Sequence, residues 1–255
     1  VPTVLITGSA RRIGAGVARA LAADGWRVLI HYHHSAEAAA ELATGIQAQG
    51  GACDIVRADL LDRDEVAALI PDCTARFGRI DCLVNNASSF RFDSIRSMRW
   101  ESWDEGMRAN LESPLFLCRA FAEALGEAPG DIVNMLDHKI AALNPDFFSY
   151  TVAKIGLAGA TRMMAMAFAD RAGGRIRVNA VAPGLTLISN KQTEAQFARA
   201  WRATPLGVSS TPAEIANAIR LILATQSLNG ETLLLDGGDH LVPRERDVSV
   251  DPGLR

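Results

Sequence analysis

What this sequence has little of narrows its class first. Only four cysteines occur among 255 residues, and Cys53, Cys73, Cys82 and Cys118 show none of the paired spacing that holds a metal. An enzyme of this size folds without disulfides, so the four are expected to be reduced and mostly buried, and no metal is expected. Neither charge sign dominates: the formal net charge is -3 with 22% charged residues, which gives nucleic acid or an anionic membrane no reason to bind. The longest apolar helical stretch, 155–168, carries Arg162 and is too short to span a bilayer. No basic segment precedes the first strand, and a cytosolic protein is expected. Internal repeats and low-complexity tracts are lacking as well. With 49% hydrophobic residues, the chain has the composition of an ordinary globular protein with a substantial core.

Strand and helix patterns alternate throughout. Val4-Leu5-Ile6 is a short apolar strand, followed by a glycine-bearing turn from Thr7 to Gly16 and an apolar stripe at Val17, Ala18, Leu21 and Ala22. Further strands are expected at 27–32, 53–57, 80–84, about 130–136, 176–181 and 232–235. Helices are expected at 36–49, 62–76, about 98–111, 114–126, 149–171 and 212–224. This alternation predicts a single α/β domain: a doubly wound, mainly parallel seven-stranded sheet with helices on both faces and ligands at the carboxyl ends of the strands. The domain covers residues 1–241, with a substrate lid at about 185–205 that includes Asn190, Lys191, Phe197 and Trp201. The tail, 242–255, has two prolines and several charges, and is expected to be mobile unless a neighbouring subunit holds it.

The turn Thr7-Gly8-Ser9-Ala10-Arg11-Arg12-Ile13-Gly14-Ala15-Gly16 follows a strand and opens a helix. Its glycines let the backbone approach a pyrophosphate, whose charge the helix amino end stabilises; a tight turn with no ligand is the plainer alternative. A chain that prefers NAD carries an acidic residue about 20 positions on, to bind the ribose hydroxyls. Here that region reads His31-Tyr32-His33-His34-Ser35. With no carboxylate to repel a 2′-phosphate, and Arg12, His33, His34 and Ser35 placed to approach it, NADPH is the expected cofactor. One charge-assisted hydrogen bond to that phosphate contributes on the order of 1.5–3 kcal/mol, enough for a tenfold preference. His31 and His33 can equally be plain surface residues at a strand end. Asp59-Leu60, at the end of the third strand, can cap the adenine, or Asp59 can simply cap a turn.

A second constellation carries chemistry. Lys154 follows Tyr150 by one helical turn, so both side chains lie on one face, and Asp137 precedes the tyrosine by thirteen residues. The lysine can lower the phenol's pKa and hold a cofactor hydroxyl.

Together the glycine turn, Asn85-Asn86-Ala87, Asn110, the Tyr150–Lys154 pair and Pro183-Gly184 resemble the short-chain dehydrogenase/reductase family over nearly the whole chain. The resemblance implies a Rossmann fold in which Tyr150 exchanges the proton, Lys154 binds the nicotinamide ribose and Asn110 supports a water relay. Gly8, Ile13, Gly14, Asn86, Ala87, Ser88, Pro183 and Gly184 join the cofactor site on the same ground. It also implies a homotetramer, with the helices around 114–126 and 149–171 packed between subunits and the tail able to reach a neighbour's site.

Three departures from the family pattern are informative: Asp137 stands where a serine is usual, Arg12 replaces the middle glycine, and Ser88 replaces the glycine after Asn-Asn-Ala. All three are similar to the pteridine reductase and dihydromonapterin reductase branch. A pterin is a flat, nitrogen-rich ring, so Phe90 can stack on one face, Arg12 and Ser88 can bond its edge, and Asp137 beside Tyr150 can complete the route for a proton. Each residue has a plainer reading: Asp137 as a cap, Phe90 as a core aromatic, Arg12 as a surface cation, Ser88 as packing. His138-Lys139 are read as solvated loop residues, and Trp100, Trp103, Met163, Met164 and Met166 as packing or subunit contacts. The expected activity is NADPH-dependent reduction of dihydromonapterin, dihydrobiopterin or dihydrofolate. The rivals are an NADPH-dependent carbonyl or 3-oxoacyl reductase and a nucleotide-sensing protein with no turnover.

Overall fold

The computed structural model describes residues 1–169, 175–188 and 192–250. Seven strands form one sheet: β1 (Thr3–Ile6), β2 (Arg27–Tyr32), β3 (Cys53–Arg57), β4 (Cys82–Asn85), β5 (Gly130–Met135), β6 (Ile176–Pro183) and β7 (Thr232–Leu235). Their order is β3-β2-β1-β4-β5-β6-β7 and every pairing is parallel. Among the described residues eight α-helices accompany them: α1 (Arg12–Ala23), α2 (Ala36–Gln47), α3 (Arg63–Phe77), α4 (Trp100–Met107), α5 (Ser113–Leu125), α6 (Phe148–Phe168), α7 (Glu194–Arg202) and α8 (Pro212–Ala224).

A parallel sheet covered on both faces demands apolar residues at successive positions, because alternate side chains enter opposite layers. Val4 and Ile6 of β1 pack with Val17 and Leu21 of α1, Leu42 of α2 and Ile215 and Ile219 of α8. Leu5, between them, packs on the other face with Ile70 of α3 and Leu117 and Phe121 of α5. Leu5 is fully buried, so Leu5→Ala would cost about 2–5 kcal/mol. All four cysteines are buried free thiols. Among the described residues no helix is long and apolar enough to cross a membrane.

Three departures from the sequence reading have physical causes. The helices expected at 98–111 and 114–126 run on without a gap, because a π-helical turn at Arg108–Glu112 joins α4 to α5. Inside the segment read only as a polar lid, α7 forms behind a capping box in which Thr193 and Gln196 exchange hydrogen bonds. Finally, α6 ends at Phe168; residues 170 and 171 of the expected helix, and Asn190 and Lys191 of the lid, lie outside the described residues. The carboxyl ends of β1, β4, β5 and β6 all open on one side of the sheet, at the point where the strand order reverses, which is where such folds bind ligands.

Candidate active site

A cleft of about 590 Å³ lies along those strand ends. At one end, Asn86 Nδ2 donates to the carbonyls of Thr7 (2.9 Å) and Gly8 (3.1 Å), while the main-chain N–H groups of Asn86 and Ala87 donate to Thr7 Oγ1. The ends of β1 and β4 are thereby tied together. Gly8 sits at φ +60°, and a Cβ there would lie 2.8 Å from Ala87 Cα; one on Gly14 would lie 2.6 Å from Asn86 Nδ2 and 2.7 Å from Ser9 Cα. Only glycine keeps this backbone bare toward the cleft. Beyond it α1 starts with no side-chain cap at Arg11 and no acidic residue in its first turn, which leaves its N–H groups and dipole for an anion. The cradle therefore fits a dinucleotide's pyrophosphate.

Ile13, His33, Asp59, Leu60, Pro183 and Gly184 line the same cleft. Its lining does not extend to His34 or Ser35: the chain bends away after Tyr32, His34 is exposed with its ring tilted against that of His33, centroids 3.4 Å apart, and Ser35 immediately precedes α2. Arg11, which the sequence did not single out, lines the cleft instead. His31 is no surface residue. It is 2% exposed, accepts the Gly8 N–H at Nδ1 (2.9 Å) and lies 3.1 Å from the Ala58 carbonyl at Nε2. Arg12, at φ +56°, donates to the carbonyls of Ile188 (3.1 Å) and Leu187 (3.4 Å), and so joins the cofactor turn to the start of the lid.

At the other end, β5 delivers Asp137 and α6 presents Tyr150 and Lys154. The Tyr150 hydroxyl donates to Asp137 Oδ2 at 2.8 Å, and Lys154 Nζ donates to the Met135 carbonyl at 2.6 Å. The other Asp137 oxygen accepts the Lys139 N–H at 2.9 Å, so this residue both caps a turn and faces the tyrosine. Burial, then the charge and hydrogen bond of Asp137, push the Tyr150 phenol well above its usual range. Burial also pulls Lys154 down to about 8, with Asp137 acting against it. The phenol is thus raised where the lysine was expected to lower it, and Tyr150 is held as a neutral phenol.

Ser88 Oγ donates to Asn110 Oδ1 at 2.7 Å, and that oxygen also accepts the Ser89 N–H. Asn110 Nδ2 donates to the Ser89 and Gly106 carbonyls. The amide is fully used, and through it Asn110 holds the Ser88-Ser89 segment. It does so from within the π-helical turn, a form of helix often found at functional sites. Phe90 is not a core aromatic. It is 46% exposed, stacks on Phe147 at 4.1 Å and meets the Tyr150 ring edge-on at 4.7 Å.

Comparison with known proteins adds to this geometry. Residues 8–240 match the family model described as enoyl-(acyl carrier protein) reductase. Over 240 residues, the chain is 35% identical to the 3-oxoacyl-[acyl-carrier-protein] reductase of Synechocystis sp., a match that covers 92% of this chain and 95% of the relative. The chain belongs to the short-chain dehydrogenase/reductase family. As a short-chain dehydrogenase/reductase it is a nicotinamide-dependent oxidoreductase. It is also similar to the family's 3beta-hydroxysteroid dehydrogenase 1 of Eggerthella lenta, with 33% identity over 250 residues and 94% of each chain covered. A solved structure of FolM alternative dihydrofolate reductase 1 from Brucella suis, in complex with NADP, superimposes with a TM-score of 0.90 at 38% identity, covering 95% of this chain and 96% of that one.

Several residues at this family cleft were misread or missed from the sequence. His138 and Lys139 are not solvated: they are 9% and 3% exposed. His138 lies 3.3 Å from Asp137 and 3.4 Å from Asp239, and Lys139 Nζ is 2.5 Å from Asp247. Burial works against a charged His138, yet its bond to Asp239 and the charges of Asp137 and Asp239 win and raise its pKa, with Lys139 opposing them. The tail was expected to be mobile or held by a neighbour; residues 242–250 instead dock on their own chain, and Asp247, Val248 and Ser249 line the cleft. Phe147, at φ +56° just ahead of α6, carries no local sequence signal, because its place depends on Phe90 more than fifty residues away.

Proposed function

We propose that this enzyme is an NADPH-dependent reductase of a pterin-like substrate, with dihydromonapterin, dihydrobiopterin and dihydrofolate as candidates. The observation that carries the reading is the Tyr150–Asp137 hydrogen bond beneath the half-exposed ring of Phe90 in one cleft. The resemblance to a FolM alternative dihydrofolate reductase supports it. NADPH fits because no carboxylate ends β2, while Arg11, Arg12 and His33 line the cleft near the cradle.

When bound, NADPH supplies the hydride to a ring carbon. Tyr150 and Asp137 hold the hydroxyl proton between them and together, directly or through water, supply the proton that the ring nitrogen takes up. Lys154, buried beside the Met135 carbonyl, is placed to hold the nicotinamide ribose. Phe90 offers a face to a flat ring, with Ser88 and Arg12 toward its edges. A homotetramer is part of the same reading, supported by Phe116, Ile155, Met163 and Met166, which stand exposed on α5 and α6.

The similarity to 3-oxoacyl-[acyl-carrier-protein] reductases favours a second reading, a ketone reductase that uses Asp137 in place of serine. Oxidation of NADPH, followed spectroscopically with dihydrobiopterin, dihydromonapterin, dihydrofolate and a 3-oxoacyl ester, and repeated with NADH, separates the two. Pterin turnover with NADPH preferred is the expected result. Turnover of the ketone with no pterin activity would sink the pterin reading and leave the family standing.

A further inference from the structure

The family match ends at residue 240, and the residues that follow return to the substrate end of the cleft. Arg246 makes a two-pronged pair with Asp146, Nε at 2.8 Å and Nη2 at 2.9 Å. The Asp247 N–H donates to the same Asp146 carboxylate at 2.9 Å. Asp247 Oδ2 meets Lys139 Nζ, while its Oδ1 accepts the Ser249 N–H (2.8 Å) and hydroxyl (2.5 Å). Val250 N–H closes the turn on the Asp247 carbonyl at 2.9 Å. Asp146, Lys139 and Asp247 are 2%, 3% and 7% exposed, while the Arg246 side chain keeps 46% of its surface in solvent; removing a partner from any of the three leaves a buried charge uncompensated.

All of these anchors grip the segment between Asp137 and α6. Lys139 also donates to Asn144 Oδ1 at 3.3 Å and sits 5.3 Å over the Phe147 ring, and Phe147 backs Phe90. The Asp247 carboxylate is spent on Lys139 and Ser249, so it positions other groups. Val248, 6% exposed and part of the cleft lining, is the apolar wall that the docked tail adds.

We propose that residues 242–250 form a specificity clasp: Arg246 and Asp247 fix the Lys139–Phe147 segment, and Val248 closes the substrate end to a width that admits a flat two-ring heterocycle and disfavours a flexible 3-oxoacyl thioester arm. The proposal rests on the pterin reading for the identity of the preferred substrate. The clasp itself rests on the docked tail. Arg246 and Asp247 are positioning residues, and Val248 determines specificity.

The test compares full-length wild type with Arg246→Ala, Arg246→Lys and Val248→Ala, using NADPH, dihydrobiopterin and a 3-oxoacyl thioester of N-acetylcysteamine. Arg246→Ala is expected to raise the KM for dihydrobiopterin about tenfold with kcat within about threefold, a loss of uniform binding, while Arg246→Lys restores most of it and the NADPH Kd does not move. Val248→Ala should shift the kcat/KM ratio about fivefold toward the thioester, and keeps the test alive if Arg246→Ala does not fold. Hydrogen exchange in wild type should show protected amides at Asp247, Ser249 and Val250. Freely exchanging amides there, or unmoved KM and kcat/KM ratios in both variants, overturn the clasp. If wild type reduces the thioester and no pterin, yet the amides are protected and Arg246→Ala still raises the thioester KM, the pterin reading and the selectivity assigned to Val248 fall, while the docked tail's positioning of the Lys139–Phe147 segment stands.

Discussion

The Tyr150 hydroxyl donates its hydrogen bond to Asp137 Oδ2 at 2.8 Å, and burial together with that carboxylate keeps the phenol protonated. The hydroxyl proton therefore lies between the phenol and the carboxylate, and in the proposed reaction the two groups supply the ring nitrogen's proton together. Asp137→Ser is therefore expected to lower the kcat for pterin reduction by about 10²–10⁴-fold. NADPH affinity, which the reading assigns to the glycine cradle and Lys154, should change by less than about twofold at pH 6, well below the lysine's titration. Kinetics and fluorescence titration check both. Equal loss of the two would make Asp137 a structural cap, the role its other oxygen already plays toward Lys139.

Lys154 gives the site a pH dependence of defined sign. Burial brings its pKa down to about 8, so the ammonium is present below that pH and is lost as pH rises through it. A cation that holds the cofactor ribose then fades on the alkaline side, and the NADPH Kd should climb above pH 8 by up to about tenfold per unit. Tyr150 contributes no limb there, because its phenol titrates well above its usual range. Titrations from pH 6 to 10 decide the matter, and a flat Kd through pH 9 would remove Lys154 from cofactor binding.

His31 bridges the cofactor turn and the end of β3, because the Gly8 N–H fills its Nδ1. An acceptor at Nδ1 requires the neutral ring, and burial accordingly lowers its pKa from 6.5 to about 4. Between those values the unfolded chain takes up a proton that the folded chain refuses. Stability therefore falls as pH drops from about 6.5 to about 4, by on the order of 3 kcal/mol from this group. His31→Gln keeps an acceptor for Gly8 without a titrating ring, so urea midpoints from pH 7 to 4 should fall less steeply than in wild type. Parallel slopes would show that other groups govern the acid limb.

The strands were legible because a buried parallel sheet leaves a direct mark: Val4, Leu5 and Ile6 are all apolar since each faces one of two packed layers. The Tyr150–Lys154 pair was legible because one turn of helix fixes their relation. Other features depend on partners far along the chain. Lys139 and His138 read as solvated until Asp247 and Asp239 are brought beside them. Pro114, in the first turn of α5, reads as a helix start, which hides the π-helical turn that carries Asn110 without a break. α7 buries only Ala200 inside an otherwise polar segment, although its Phe197, Ala200 and Trp201 stripe and its Thr193–Gln196 capping box were both there to be read.

Arg12 occupies a backbone conformation that suits glycine. Its φ of +56° costs a side-chain-bearing residue on the order of 1 kcal/mol, and its two hydrogen bonds, to exposed carbonyls of Leu187 and Ile188, do not by themselves account for keeping that strain. A guanidinium facing the cleft does, because it can meet both a cofactor phosphate and the edge of a substrate ring. Arg12→Gly separates the two effects: relief of the strained φ should leave the Tm no lower than wild type, while the NADPH Kd and pterin KM both rise about tenfold, the loss of one charge-assisted contact. A lower Tm with unchanged Kd and KM would mean that Arg12 serves the fold, as a tie between the turn and the lid.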